Sequence, residues 1–204
     1  MVSMKHVGLN VAADPFMNVA VSGTHGGLVI VVADDPSMHS SQNEQDSRYF
    51  ADFAMVPCLE PADQQQCYDF TREAFELSER LRVPVMVRLV TRLAHSRAAV
   101  RAAERRAPNL ANWAPDPERF TLIPVNARRA YAGLVDKQAA LQDWSQAHDV
   151  NRLEIRGAGR PGILVSGIAW NYLVEALGER LADYNLLRIG TYPLPIEKIR
   201  SLLQ

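Results

Sequence analysis

The chain has 204 residues, 48% hydrophobic and 22% charged, with 22 lysines and arginines against 23 aspartates and glutamates for a formal charge of −1. A balance this even leaves no electrostatic footprint for nucleic acid or an anionic membrane surface. The longest apolar run, Leu28 to Ala33, is far short of the roughly 20 residues of a membrane span, and the opening Met1-Val2-Ser3-Met4-Lys5 builds no signal peptide, so a soluble cytoplasmic protein is expected.

Cys58 and Cys67, the two cysteines, make neither a disulfide scaffold nor a zinc or iron–sulfur spacing, and read as small core residues. The length suffices for one sizeable core, or for one domain and part of a second.

In chain order, Met1 to Val7 reads as a strand and Asn10 to Ser22 as a helix with Asn10 as its N-cap. Gly27 to Ala33 is a continuous apolar run of the kind buried on both faces of a parallel sheet. Ala54 to Leu59 is a short strand, followed by a helix that opens at Glu60-Pro61-Ala62-Asp63 and repeats apolar residues at Cys67, Phe70, Ala74, Leu77 and Leu81. Val83 to Val90 is the next parallel strand. Alternating units of this kind predict a doubly wound α/β sheet. From about residue 95 the pattern turns helical and arginine-rich: a helix over His95 to Ala107, an irregular stretch over Pro108 to Pro124, and a helix over Asn126 to His148 whose charges form a solvated face. His95 and His148 read as surface residues. Arg156 to Gly162 is a linker, followed by strand Ile163 to Ser166, helix Ile168 to Leu181, strand Leu186 to Ile189 and helix Pro195 to Leu203. Roughly 45 residues after the linker are too few to close a sheet of their own. The expectation is a piece of a longer polypeptide, or a subunit completed by partners, divided into residues 1–156 and 157–204.

Ligands of open α/β sheets bind beyond the carboxyl ends of the strands. Two loops stand there: Lys5-His6-Val7-Gly8-Leu9-Asn10, and the long polar stretch from Asp34 to Arg48. Asp34, Asp35 and His39 offer a divalent-metal reading that needs convergence from separate segments. Ser40 and Ser41 lack the elbow of a serine nucleophile, and there is no phosphate-binding Gly-Lys-Ser/Thr loop.

Ser3 to Pro15, with Val31-Val32-Ala33-Asp34-Asp35-Pro36 and His39-Ser40-Ser41-Gln42-Asn43-Glu44-Gln45-Asp46-Ser47-Arg48, resembles the large (alpha) subunits of indolepyruvate ferredoxin oxidoreductases, members of the thiamine-diphosphate-dependent 2-oxoacid:ferredoxin oxidoreductase family. Leu59-Glu60-Pro61, Phe75 to Glu79, Thr91-Arg92 and His95-Ser96-Arg97 continue the likeness, and Ser166 to Tyr172 with Tyr192-Pro193-Leu194-Pro195 extend it to the tail.

The resemblance implies a pyrimidine-binding-type domain over residues 1–156, with a helical extension from about 95, then the start of a transketolase-C-terminal-like domain. It implies oxidative decarboxylation of an aryl 2-oxoacid such as indolepyruvate to an acyl-CoA, with thiamine diphosphate and magnesium, and with 4Fe-4S clusters in the intact enzyme. Coenzyme A, ferredoxin, a smaller partner subunit and a second copy are the implied partners. It points to His6 as the residue that donates to the substrate carboxylate or an intermediate, with a structural histidine as the alternative, and to Gly8, Asn10, Gln42 and Glu44 as cofactor or interface contacts. No residue matches the family's activating glutamate, its Gly-Asp-Gly magnesium and diphosphate segment or its cluster cysteines, so the chain by itself is expected to be inactive. The alternative is a stand-alone, non-catalytic α/β protein that keeps the surface for oligomerisation.

Overall fold

The computed structural model describes residues 1–110 and 115–204. β1 (Val2–Lys5) leads into α1 (His6–Val11) and α2 (Ala13–Ser22), followed by β2 (Val29–Asp34), α3 (Arg48–Phe53), β3 (Cys58–Leu59), α4 (Gln64–Leu81), β4 (Val85–Val90) and α5 (Thr91–His95). Then come α6 (Pro117–Phe120), α7 (Pro124–Asp136), α8 (Gln138–Ala147), β5 (Leu153–Glu154), β6 (Gly162–Ser166), α9 (Ala169–Leu177), β7 (Asn185–Ile189), β8 (Thr191–Tyr192) and α10 (Ile196–Leu203).

One sheet has the order β1-β2-β4-β3-β8, with the first four strands parallel and β8 antiparallel on β3. The other has the order β5-β7-β6, with β6 parallel and β5 antiparallel to β7. The chain therefore passes between sheets on either side of the 156–162 segment.

The period of two in the central strands divides the core. Ile30, Val32 and Met86 face Leu9, Phe16 and Ala20, whereas Val29, Val85 and Val87 face Phe70, Ala74 and Leu77 of α4. Helices thus cover both faces, which is the doubly wound arrangement read from the sequence. Asp63 accepts from the Gln66 N–H and the Gln66 side chain accepts from the Ala62 N–H, closing the start of α4 where it was expected.

Several expectations are corrected. α1 begins at His6, so Asn10 lies inside a helix and is not an N-cap. The strand over Ala54 to Leu59 shrinks to Cys58–Leu59 because Met55 turns the chain at φ 57, and α3 occupies 48–53. The helix over Asn126 to His148 breaks at Lys137, letting α7 pack on α2 and α8 on α10. α9 ends at Leu177 and a 3-10 turn follows.

The largest correction concerns His95 to Ala107, which is helical only to His95. The rest runs as a strap along α4: Gln65 bonds both the N–H and the C=O of Arg101, Tyr68 accepts from the Ala103 N–H, Arg72 donates to the Glu104 C=O, and Asn109 donates to Glu79. Between Gln65 and Glu79 α4 rises roughly 21 Å. The strap covers that span between Arg101 and Asn109 at roughly 2.6 Å per residue, nearer an extended chain than a helix. Side chains of α4 satisfy its backbone groups, and its alanine and arginine sequence offers no apolar stripe that a helix would bury. Residues 111–114, within the stretch read as irregular, lie outside the described residues. Among the described residues no helix is long and apolar enough to cross a membrane.

Candidate functional site

The carboxyl ends of the strands carry a network of buried charge. Asp34 ends β2 and is 1% exposed; it accepts from Arg88 Nε at 2.7 Å and from the Ser47 N–H at 3.0 Å, with the Ser47 hydroxyl on its other oxygen. Arg88, a charged residue inside the apolar run of β4, also donates to Glu60, which directly follows β3. The second Glu60 oxygen accepts from the Tyr192 hydroxyl at 2.7 Å and pairs with Arg48. Arg48 bridges outward to Asp46, to Tyr192 at 3.1 Å and to Ser166 at the end of β6. Four strand ends of the two sheets are thereby joined by side chains.

The electrostatics follow from this packing. Burial works against the charge of Arg88, but Glu60 and Asp34 outweigh it and raise its pKa. Asp46 holds Arg48 charged, and Arg48 in turn holds Asp46 below the usual carboxylate range against the opposing effect of burial. Burial and the Glu60 charge push the Tyr192 phenol up, so it serves as a neutral donor. Gly167 has φ 51, and a Cβ there would stand 2.7 Å from a Glu60 oxygen; a glycine is required on both counts.

The two loops singled out in the sequence meet beside this network. Lys5 donates to the Ser40 C=O and hydroxyl, each at 3.1 Å, and lies 3.8 Å from Asp35. Asp35 accepts from Thr91 at 2.7 Å and from the N–H groups of Ser40 and His39; chiefly the Thr91 bond, then the Ser40 N–H, hold its carboxyl well below the usual range. Ser37 and Met38 turn at positive φ, and Glu44 accepts from the Ser37 N–H at 2.9 Å to hold that turn.

Of the residues read from the sequence, His6 is fully buried at the carboxyl end of β1, and neither ring nitrogen has a hydrogen-bond partner. Gly8 lets α1 fold back on its own strand, since a Cβ there would lie 2.9 Å from the Met4 Cβ. Asn10, Gln42 and Glu44 are exposed. The metal reading is corrected: donors fill the carboxylates of Asp34 and Asp35, His39 points to solvent, and no cluster among the described residues would hold a metal ion. Burial raises both thiols, that of Cys67 to about 11, leaving neither as a ready nucleophile. His148 is not a surface residue, because its ring packs edge-on to Phe70 and Trp144 and bonds Glu73. Arg88, Glu60 and Tyr192 were missed as site residues, although an arginine within Val83 to Val90 is itself a signal, since arginine is almost never buried unpaired.

A cavity of about 440 Å³ opens at the outer end of the network, lined by Arg48, Tyr49, Asp52, Gln142, Tyr192 and Leu194 among others.

Comparison with known proteins adds to this geometry. No family model matches the chain. It is 44% identical over 203 residues to the indolepyruvate oxidoreductase subunit IorA of Methanothermobacter marburgensis, a match covering 98% of this chain and 33% of that protein. The IorA subunit of Archaeoglobus fulgidus is 35% identical over 206 residues, covering 100% and 33%. Among solved structures, a 2-oxoglutarate:ferredoxin oxidoreductase from Magnetococcus marinus, with 2-oxoglutarate, coenzyme A and succinyl-CoA bound, superposes with a TM-score of 0.68 at 14% identity, covering 98% of this chain and 43% of that one. That likeness is one of fold. The chain spans about a third of the length of the curated relatives it matches.

Proposed function

We propose a function that proceeds from one premise: over nearly its whole length this chain belongs to the IorA family of indolepyruvate oxidoreductase subunits. The chain forms the pyrimidine-side wall of a thiamine-diphosphate site in a cytoplasmic enzyme that oxidatively decarboxylates an aryl 2-oxoacid such as indolepyruvate to an acyl-CoA, with ferredoxin as electron acceptor. Residues 1–156 are the pyrimidine-type domain and 157–204 open a transketolase-C-terminal-like domain. A second copy and a smaller subunit complete the enzyme.

The observation that carries this reading is His6. A buried imidazole with two unbonded nitrogens lacks roughly 1–3 kcal/mol per group of hydrogen bonding. In the assembled enzyme a polar heterocycle or a carboxylate reaching the strand ends would supply those partners, a place we give to the pyrimidine side of the cofactor. Thiamine diphosphate, when bound, supplies the nucleophilic carbon that attacks the keto group. An imidazole in its neutral form donates from one nitrogen and accepts at the other, which suits His6 to orient a carboxylate or pass a proton. Lys5 and Asp35 fix the second loop against the first, Gly8 permits the close helix, and Asn10, Gln42 and Glu44 face outward toward cofactor or partner surface. Magnesium, diphosphate and the 4Fe-4S clusters fall to segments other than this sequence, whose two cysteines are too few for a four-cysteine cluster.

The test grafts this chain in place of the matching third of the Methanothermobacter marburgensis IorA subunit, produced with its partner subunit. The hybrid is expected to reduce ferredoxin with indolepyruvate and coenzyme A, and His6→Ala to lower turnover about 100-fold in an assembled hybrid. An assembled but inert hybrid overturns the reading; full activity of the His6 variant overturns the role of His6.

A further inference from the structure

A cleft of about 530 Å³ lies between α4, the turn after α8 and the three-stranded sheet. Its walls include Phe70, Leu186 and Trp170, and Arg188 enters from β7, the central strand. The Arg188 guanidinium lies 5.3 Å from the Trp170 ring centroid. Unlike Arg48 and Arg88, it has no hydrogen bond or ion pair among the described residues, although it is half-buried. Burial lowers its pKa, and the carboxylate that partly offsets this, Asp63, is already engaged as the cap of α4.

Apart from Asp149, the other charged groups around the cleft are committed. Asp69 accepts from Gln65, Glu154 pairs with Arg152 and Arg156, and His148 is held by Glu73 and the Val150 N–H. Asp149 is exposed and acts on Lys198. The donors left over are the guanidinium of Arg188 and the side-chain NH2 of Gln66, whose carbonyl is occupied by the Ala62 N–H.

We propose that this cleft binds a small aromatic carboxylate, with Arg188 and Gln66 holding the carboxylate and Trp170 and Phe70 the ring. A planar guanidinium presents a fork that matches a carboxylate, a single unpaired cation suits a monoanion, and the volume falls in the range of small-ligand sites. The cleft shares no lining residue with His6 or the Asp34 network, and binding to it requires neither cofactor nor turnover, so its test stands separately from that of the catalytic reading.

The probe is phenylacetate, titrated into the intact chain and followed by the indole N–H resonances of its three tryptophans, with Trp170→Phe assigning the peak. A saturable shift of the Trp170 peak is expected, at least 10-fold weaker with acetate or phenylacetamide and in Arg188→Gln with unchanged circular dichroism. Absence of saturation by about 10 mM, or phosphate binding as tightly as phenylacetate, overturns the proposal. Should Arg188→Gln fail to fold, Arg188→Lys decides, since it keeps the charge without the fork: affinity several-fold weaker supports the site, and unchanged affinity overturns it.

Discussion

Replacing Arg88 by methionine keeps the stem that fills the space between the strand ends and removes the charge. The guanidinium reaches Asp34 on one side and Glu60 on the other, and its side chain is 8% exposed. Two charge-assisted bonds at about 1.5–3 kcal/mol each set an upper range near 6 kcal/mol. Asp34 keeps its two donors from Ser47, and Glu60 keeps Tyr192 and Arg48, so the expected loss is about 3–5 kcal/mol, as for other buried pairs deprived of one partner. In a chain of this size that lowers Tm by about 6–20 °C. Urea unfolding of Arg88→Met, Asp34→Asn and the double variant measures it. The double variant is expected to lose at least about 1.5 kcal/mol less than the two single losses together, since each single change strands the other partner. An Arg88→Met protein within about 1 kcal/mol of the parent, or strictly additive losses, would refute the assignment of Arg88 as the charge that ties the ends of β2 and β3 together.

Gly167→Ala, which drives a Cβ into the Glu60 carboxylate at positive φ, is expected to cost about 2–4 kcal/mol in the same assay, whereas Gly26→Ala, with open space and ordinary φ, changes stability by under about 1 kcal/mol. Glu73 accepts from His148 and Trp144; burial opposes its charge, but these bonds prevail and its pKa is lowered. Its contribution is therefore present above the ordinary glutamate range and fades as pH falls through the lowered folded value, so Glu73→Gln should lose roughly 1 kcal/mol at pH 7, discounted because a third of the side chain meets water, and converge on the parent once the pH is below that value. A gap that stays constant with pH would count against this. Gln65→Ala removes both bonds to Arg101 and should speed tryptic cleavage at the strap several-fold while global stability moves by less than about 1 kcal/mol; equal cleavage rates would show that the strap is held by other contacts.

Local periodicity determined much of this fold. The apolar run ending at Ala33, the three-and-four spacing from Cys67 to Leu81 and the cap at Asp63 each depend on residues within a turn or a strand of one another, and each element stands where its pattern put it. That the two polar loops stand at the carboxyl ends of the strands was legible for the same reason, since each directly follows an apolar strand.

What the tertiary structure alone decided is which charges meet. Asp34, Arg88, Glu60 and Tyr192 are separated by up to 158 positions, and only the strand order β2-β4-β3-β8 and its register set them side by side. The strap was likewise beyond local rules, because helix propensity over His95 to Ala107 is a matter of tenths of a kcal/mol per residue, and the side chains of Gln65, Tyr68 and Arg72 on a distant helix override it by bonding the backbone directly.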